Sequence, residues 1–253
     1  MKRIIFFCSL FLALQSSALS AQRSTAPMDL NTMEEMLNKK LITSYEKKNN
    51  SEYPALIKRL DDSYNSTKND LYLYWKAYAQ FHNSVIYKHK SNDAKAKTEI
   101  ESAIETLESI KTMKSDDYAL LSLVQLFSCQ FIKVPRLIFR AKSAKSNAEK
   151  AIKLDSKNIR AYYVYASLNY NMPENHGGRV EVEEYAMKAL AQPDQSTVNP
   201  QMPVWGRELV YEMLTSFYIE EMENVKAQKY VDEGLKIFPE SKKLKANNKR
   251  IPK

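Results

Sequence analysis

Glycine, cysteine and histidine are scarce in this chain, and each scarcity removes a class of explanation. Four glycines in 253 residues are too few for tight hairpin turns between strands, and no glycine-rich run follows a strand-like segment to cradle a phosphate. The two cysteines are Cys8 and Cys129. Cys8 lies in an N-terminal apolar run, so the mature chain keeps one thiol and no internal disulfide can form. Cys129 sits within "LLSLVQLFSCQFI" and is expected to be a buried, inert thiol. The three histidines are His82, His89 and His176. His82 and His89 stand two helical turns apart with no cysteine or third ligand beside them, which makes a poor metal site. No Gly-x-Ser-x-Gly or His-Glu-x-x-His pattern occurs. Asp61-Asp62 and Asp116-Asp117 sit in or before helical segments, where carboxylates suit a helix start better than paired acid–base work. The chain therefore reads as a non-enzyme without a cofactor.

Long hydrophobic runs are also missing, apart from one. Lys2 and Arg3 precede an apolar run, Ile4–Leu14, and small or polar residues follow as far as Ala21. This is the order of a secretory signal peptide, and the run is too short to span a bilayer. Residues 1–21 are expected to be the signal, with a cut after Ser20 as the alternative. No lipobox surrounds Cys8. Residues 22–253 would then form a single helical domain that is exported, periplasmic or secreted. The formal charge of +8 is spread over scattered lysines. No basic stripe interleaved with exposed aromatics is visible, so nucleic acid is not an expected partner.

What the chain does contain is tyrosine (sixteen residues) on a background of Lys, Glu, Ala and Leu, a composition for helices with large interlocking side chains. It also repeats. From Glu208, Tyr211, Leu214, Thr215 and Tyr218 recur at helical spacing, followed by Ala227, Val231, Gly234 and Pro239. This run resembles the tetratricopeptide (TPR) repeat without a gap. The small residues Thr215, Ala227 and Gly234 let two antiparallel helices approach closely, the aromatics fill the holes between them, and Pro239 ends the second helix. Further copies carry Trp75, Tyr78 and Ala79 with Ala96, Ile100 and Ala103. Others pair "DDYALLSLVQLFSCQFI" with Ala144, Ala148 and Ala151, and Tyr162, Tyr165 and Ala166 with Val182, Ala186 and Ala189. Ala103, Ala151, Ala189 and Gly234 are 48, 38 and 45 residues apart. A plain array repeats at 34, so "YKHKSND", "KVPRLIF", "PENHGG" and "PDQSTVNPQMPVWG" are expected as insertions at or between hairpins. Residues 29–66 read as one more, weaker helix pair, and 241–250 as a short capping helix.

The resemblance implies an all-α fold, a right-handed TPR-like α-hairpin solenoid of about four to five helix pairs. The chain is also similar to exported TPR-type proteins of Bacteroidota, a group with no attached activity, through its "GG" turn, "NIRAYY" and "PxWG" segments over most of residues 65–245. A looser similarity links it to the T component of TRAP transporter systems. "MPENHGGR" reads as a hairpin turn lengthened by four residues, with Gly supplying a positive φ. In TPR arrays the first helix of each pair lines the concave side. Carried over residue by residue, the resemblance implies a partner-binding groove at Arg160, Tyr163, Ser167 and Tyr170 in the third repeat and Glu212, Ser216 and Ile219 in the fourth. Lys76, Gln80 and Asn83 are the analogues in the first. The expected function is non-catalytic binding or scaffolding of a protein or peptide; the alternative is a small-ligand-binding accessory of a transport system.

Overall fold

Side-chain caps mark several helix starts. Asn92 Oδ1 accepts from Lys95 N (3.2 Å), Asn158 Oδ1 from Arg160 N (2.9 Å), and Ser241 Oγ from Leu244 N (3.3 Å), each satisfying an amide that the helix itself leaves open. The structure is a computed structural model that describes residues 26–193 and 199–252. The expected signal peptide lies outside the described residues. Those residues form α1 (Met33–Glu46), α2 (Tyr53–Thr67), α3 (Leu71–His89), α4 (Asp93–Glu108), α5 (Ser115–Ser128), α6 (Arg136–Leu154), α7 (Ile159–Asn171), α8 (Val182–Leu190), α9 (Arg207–Glu220), α10 (Asn224–Ile237) and α11 (Lys242–Asn248). No strand occurs among them, and none of these helices is long and apolar enough to cross a membrane.

The four repeats become the antiparallel hairpins α3–α4, α5–α6, α7–α8 and α9–α10. Ala96, Ala103, Ala144, Ala148, Ala151, Ala186, Ala189 and Ala227 are all fully buried, because a small side chain is what lets the paired backbones close up. The approach is near enough for serine to bond across it: Ser84 Oγ donates to Ala96 O (2.7 Å) and Ser122 Oγ to Ala144 O (2.8 Å). At Gly234 a Cβ would stand 2.8 Å from Leu244 Cδ1 and 3.0 Å from Tyr211 Cβ. Glycine there seats α11 as well as closing the hairpin. Leu244 and Asn247 are fully buried, so α11 packs onto the last hairpin.

Each first helix touches the next first helix (α3 to α5, α5 to α7, α7 to α9), and each second helix touches the first helix that follows it. That pattern builds an α-hairpin solenoid with α3, α5, α7 and α9 lining one common inner face. Two apolar cores run through it, one from α1 to α7 and one from α7 to α11, with Tyr163 and Tyr185 packing against both. The N-terminal pair differs from the sequence expectation. Both α1 and α2 pack on α3, and they make little contact with each other. The reason is α3 itself, whose Tyr74, Trp75, Tyr78 and His82 are buried and offer apolar surface on more than one side.

An open groove on the inner face

The inner face is divided into a filled part and an open part. In the filled part, α1 lies on α3, and Tyr78 Oη donates to Asn38 Oδ1 (3.2 Å). Beside it runs the 199–206 segment that joins α8 to α9. Val204 N donates to Glu34 Oε2 (2.7 Å), Trp75 Nε1 to Gln201 O (3.3 Å) and Trp205 Nε1 to Tyr74 Oη (2.8 Å). The Trp205 ring stacks on Tyr78 and meets Tyr163 edge-on, both at 6.2 Å between centroids. Residues 199–206 of the insertion expected between hairpins thus form an internal strap whose indole belongs to the core.

The open part is a groove of about 1280 Å³. Its floor is a helical stripe, Tyr163, Ser167 and Tyr170 on α7 beside Leu209, Glu212, Met213 and Ser216 on α9, at the three-to-four-residue spacing that places side chains on one face. Leu123, Leu126 and Phe127 of α5 and Phe81 of α3 extend it, and Val134, Leu137 and Ile138 form a wall. Lys142, Lys145 and Lys243 stand among the lining residues. Five of the seven groove residues expected from sequence therefore line one cavity: Tyr163, Ser167, Tyr170, Glu212 and Ser216.

The other two do not line it. Arg160 is 3% exposed; its Nε lies 2.7 Å from Asp116 Oδ1 and its Nη1 donates to Trp205 O at 3.4 Å. It holds the strap and the α5 start to α7. Ile219 packs half-buried against the second core. The first-repeat analogues are likewise used internally: Lys76 pairs with Asp61 at 2.5 Å, Gln80 accepts from Thr106 Oγ1 at 2.9 Å, and Asn83 accepts from Asn50 Nδ2 at 2.5 Å. The α3 positions instead meet α2, α4 and the turn between α1 and α2, contacts that the repeat alignment does not foresee.

Several of the polar groups in the groove are engaged within the protein. Ser216 Oγ accepts from Asn247 Nδ2 (3.1 Å), and Ser167 Oγ lies 3.4 Å from Met213 Sδ. Burial pushes the Tyr163 phenol up to about 12. Tyr170 Oη donates to Glu220 Oε1 (2.6 Å) under the Arg179 guanidinium, which also covers Phe217. Glu212 is the one carboxylate among the described residues that line it. Burial raises it to about 7, although Ser241 Oγ donates to it at 3.0 Å. Cys129 lines the groove half-buried rather than sealed in the core; burial still raises its thiol, a direction that disfavours the nucleophilic thiolate.

The "MPENHGGR" stretch is the turn from α7 to α8, and its parts do separate jobs. Gly177 takes a φ of +80, while a Cβ on Gly178 would meet Met172 O at 1.8 Å. Arg179 then reaches Glu220 and Glu221 at 3.1 and 2.6 Å, tying the turn to the end of α9. Pro173 and His176 contribute to the groove wall. The other histidines are apart from it. His82 is buried among Tyr78 and Phe81 and falls to about 3 through desolvation, and His89 stacks on Tyr45 at 3.8 Å. Among the described residues no three His, Cys, Asp or Glu side chains cluster closely enough to hold a metal.

Against known proteins, no family model matches the chain, and no curated protein matches it. Among solved structures, it is similar to YrrB, described as a TPR protein with an unusual peptide-binding site. The identity is 13%, over 92% of this chain and 97% of that one, and the TM-score is 0.38.

Proposed function

We propose that this chain is an exported, non-catalytic binding module whose groove holds an apolar segment of a partner protein. The observation that carries this reading is the predominantly apolar groove lined by Phe81, Phe127, Tyr163, Leu209 and Met213, left open beside the filled part of the inner face. Its volume of about 1280 Å³ exceeds the roughly 300–1,000 Å³ of ordinary small-molecule pockets. It suits an extended or single-turn helical segment with two or three apolar anchors. The aromatic anchors at Tyr163 and Tyr170 are of the kind that dominates interface energetics. Export is inferred from Lys2, Arg3 and the Ile4–Leu14 run; it places the partner in the periplasm or outside the cell. A second reading follows from the same apolar lining, a bulky apolar small molecule carried for a transport system.

Leu209, half-buried in the groove floor, allows a direct test. Immobilised wild-type protein and Leu209→Trp are presented with periplasmic extract, and purified protein is inspected by native mass spectrometry. The reading expects one protein partner retained by wild type and lost by the groove-filling variant. Equal retention by both refutes the groove as the site. A small apolar molecule that co-purifies with wild type and is displaced by Leu209→Trp would select the second reading.

A further inference from the structure

The segment between α5 and the second turn of α6, "KVPRLIFRAK", lies at the groove wall and carries exposed apolar side chains that include one outside the lining. Val134 is 68% exposed, Ile138 46% and Phe139 70%. Phe139 is not among the residues that line the groove, and it lies one helical turn from both Arg136 and Lys142. Lys133, Arg136 and Lys142 are exposed, and their side chains form no ion pair or hydrogen bond with the described residues. The sequence has no acidic residue between Asp117 and Glu149. The acid that does approach from a neighbouring helix, Glu101 on α4, is already taken by Arg140 at 3.0 Å. The result is an exposed apolar tip flanked by cations without ion-pair partners among the described residues.

We propose that this tip docks the protein on an anionic lipid surface. Three apolar side chains, Val134 ahead of α6 and Ile138 and Phe139 in its first turn, fall far short of the roughly 800 Å² per partner that a stable protein interface buries. Inserted to headgroup depth they form a partial anchor, and cations beside them supply the second attraction that a weak anchor requires. Val134 and Ile138 also form the groove wall, so docking sets the groove mouth close to the bilayer. The proposal does not depend on what the groove holds.

Sedimentation with vesicles tests it. Wild-type protein should bind phosphatidylcholine vesicles that contain phosphatidylglycerol, and bind vesicles of phosphatidylcholine alone weakly, with affinity falling as salt rises. Phe139→Ser with Val134→Ser, and separately Lys133→Glu with Arg136→Glu, should each weaken binding on the order of tenfold. Lys111→Glu, Lys153→Glu and Lys236→Glu together, which remove more charge elsewhere on the surface, should weaken it less. Hydrogen exchange on the unaltered protein gives a readout free of any folding defect: amides of residues 133–142 should be slowed by the anionic vesicles. The idea is overturned by no binding to anionic vesicles at low salt, by equal loss in the control variant, or by protection elsewhere with none at 133–142. Loss of the protein captured from extract in the Phe139 variant, without vesicle binding, would assign the tip to a protein partner and also overturn it.

Discussion

Replacing Arg160 by methionine should destabilise the fold by about 3 kcal/mol, although the aligned repeat position would make it a mild surface change. The guanidinium and the Asp116 carboxylate are 2.7 Å apart, with side-chain exposures of 4% and 14%. Methionine keeps most of the apolar stem, so the loss is chiefly electrostatic. Removing one partner of a buried ion pair costs about 3–5 kcal/mol, because a charge is left in a poorly solvated place. Asn158 Nδ2 still donates to Asp116 Oδ1 at 2.7 Å, which argues for the lower end. The Trp205 carbonyl loses a donor as well. Urea unfolding of wild type, Arg160→Met, Asp116→Asn and the double variant forms a cycle. The double variant should recover about 1–3 kcal/mol relative to the sum of the single changes. A loss below about 1 kcal/mol for Arg160→Met, or an additive cycle, would refute the idea that this pair clamps the strap to α7.

Trp205→Ala should cost about 3–5 kcal/mol, the range for emptying a large aromatic site, and a thermal melt lowered by less than a few degrees would show that the strap is not core. Ala227 is fully buried where α9 and α10 touch, so Ala227→Leu should overpack the hairpin and cost about 1–3 kcal/mol in the same melts; no loss would mean the hairpin has slack. Glu212 holds its proton to about pH 7 in the folded chain, against an ordinary 4.5. The folded state therefore binds the extra proton between those values, and stability falls as pH rises from about 4.5 to about 7. Glu212→Gln should remove that slope, matching wild type near pH 4 and exceeding it by up to about 3 kcal/mol at pH 8. A variant less stable than wild type at pH 8 would show that the carboxylate is a net structural bond.

The repeat signature was legible because hairpin packing depends on residue size at fixed spacing: Thr215, Ala227, Gly234 and their equivalents have no other way to let backbones meet. The face of α7 and α9 that forms the groove was legible for the same reason, since helical periodicity fixes which side chains share a side. What could not be read was where non-repeating segments would lie. Nothing local tells that Trp205 folds back onto Tyr74 and Tyr78, more than a hundred residues earlier, or that α1 abandons α2 for α3. Arg160 was misplaced as a consequence, because its fate depends on Asp116 and the Trp205 carbonyl, both remote in sequence. A tryptophan followed by glycine in a proline-rich insertion was the available signal, since a large aromatic in a loop needs somewhere to be buried.

The central claim is that the groove between α5, α7 and α9 holds an apolar protein segment. A benzophenone side chain placed at Leu209, with an outer-face control at Lys236, tests it most directly when each protein is irradiated in periplasmic extract. The account predicts one discrete adduct at Leu209 that maps by mass spectrometry to an apolar stretch of the captured protein, and none at Lys236. No adduct at Leu209, or the same adducts at both positions, would contradict it.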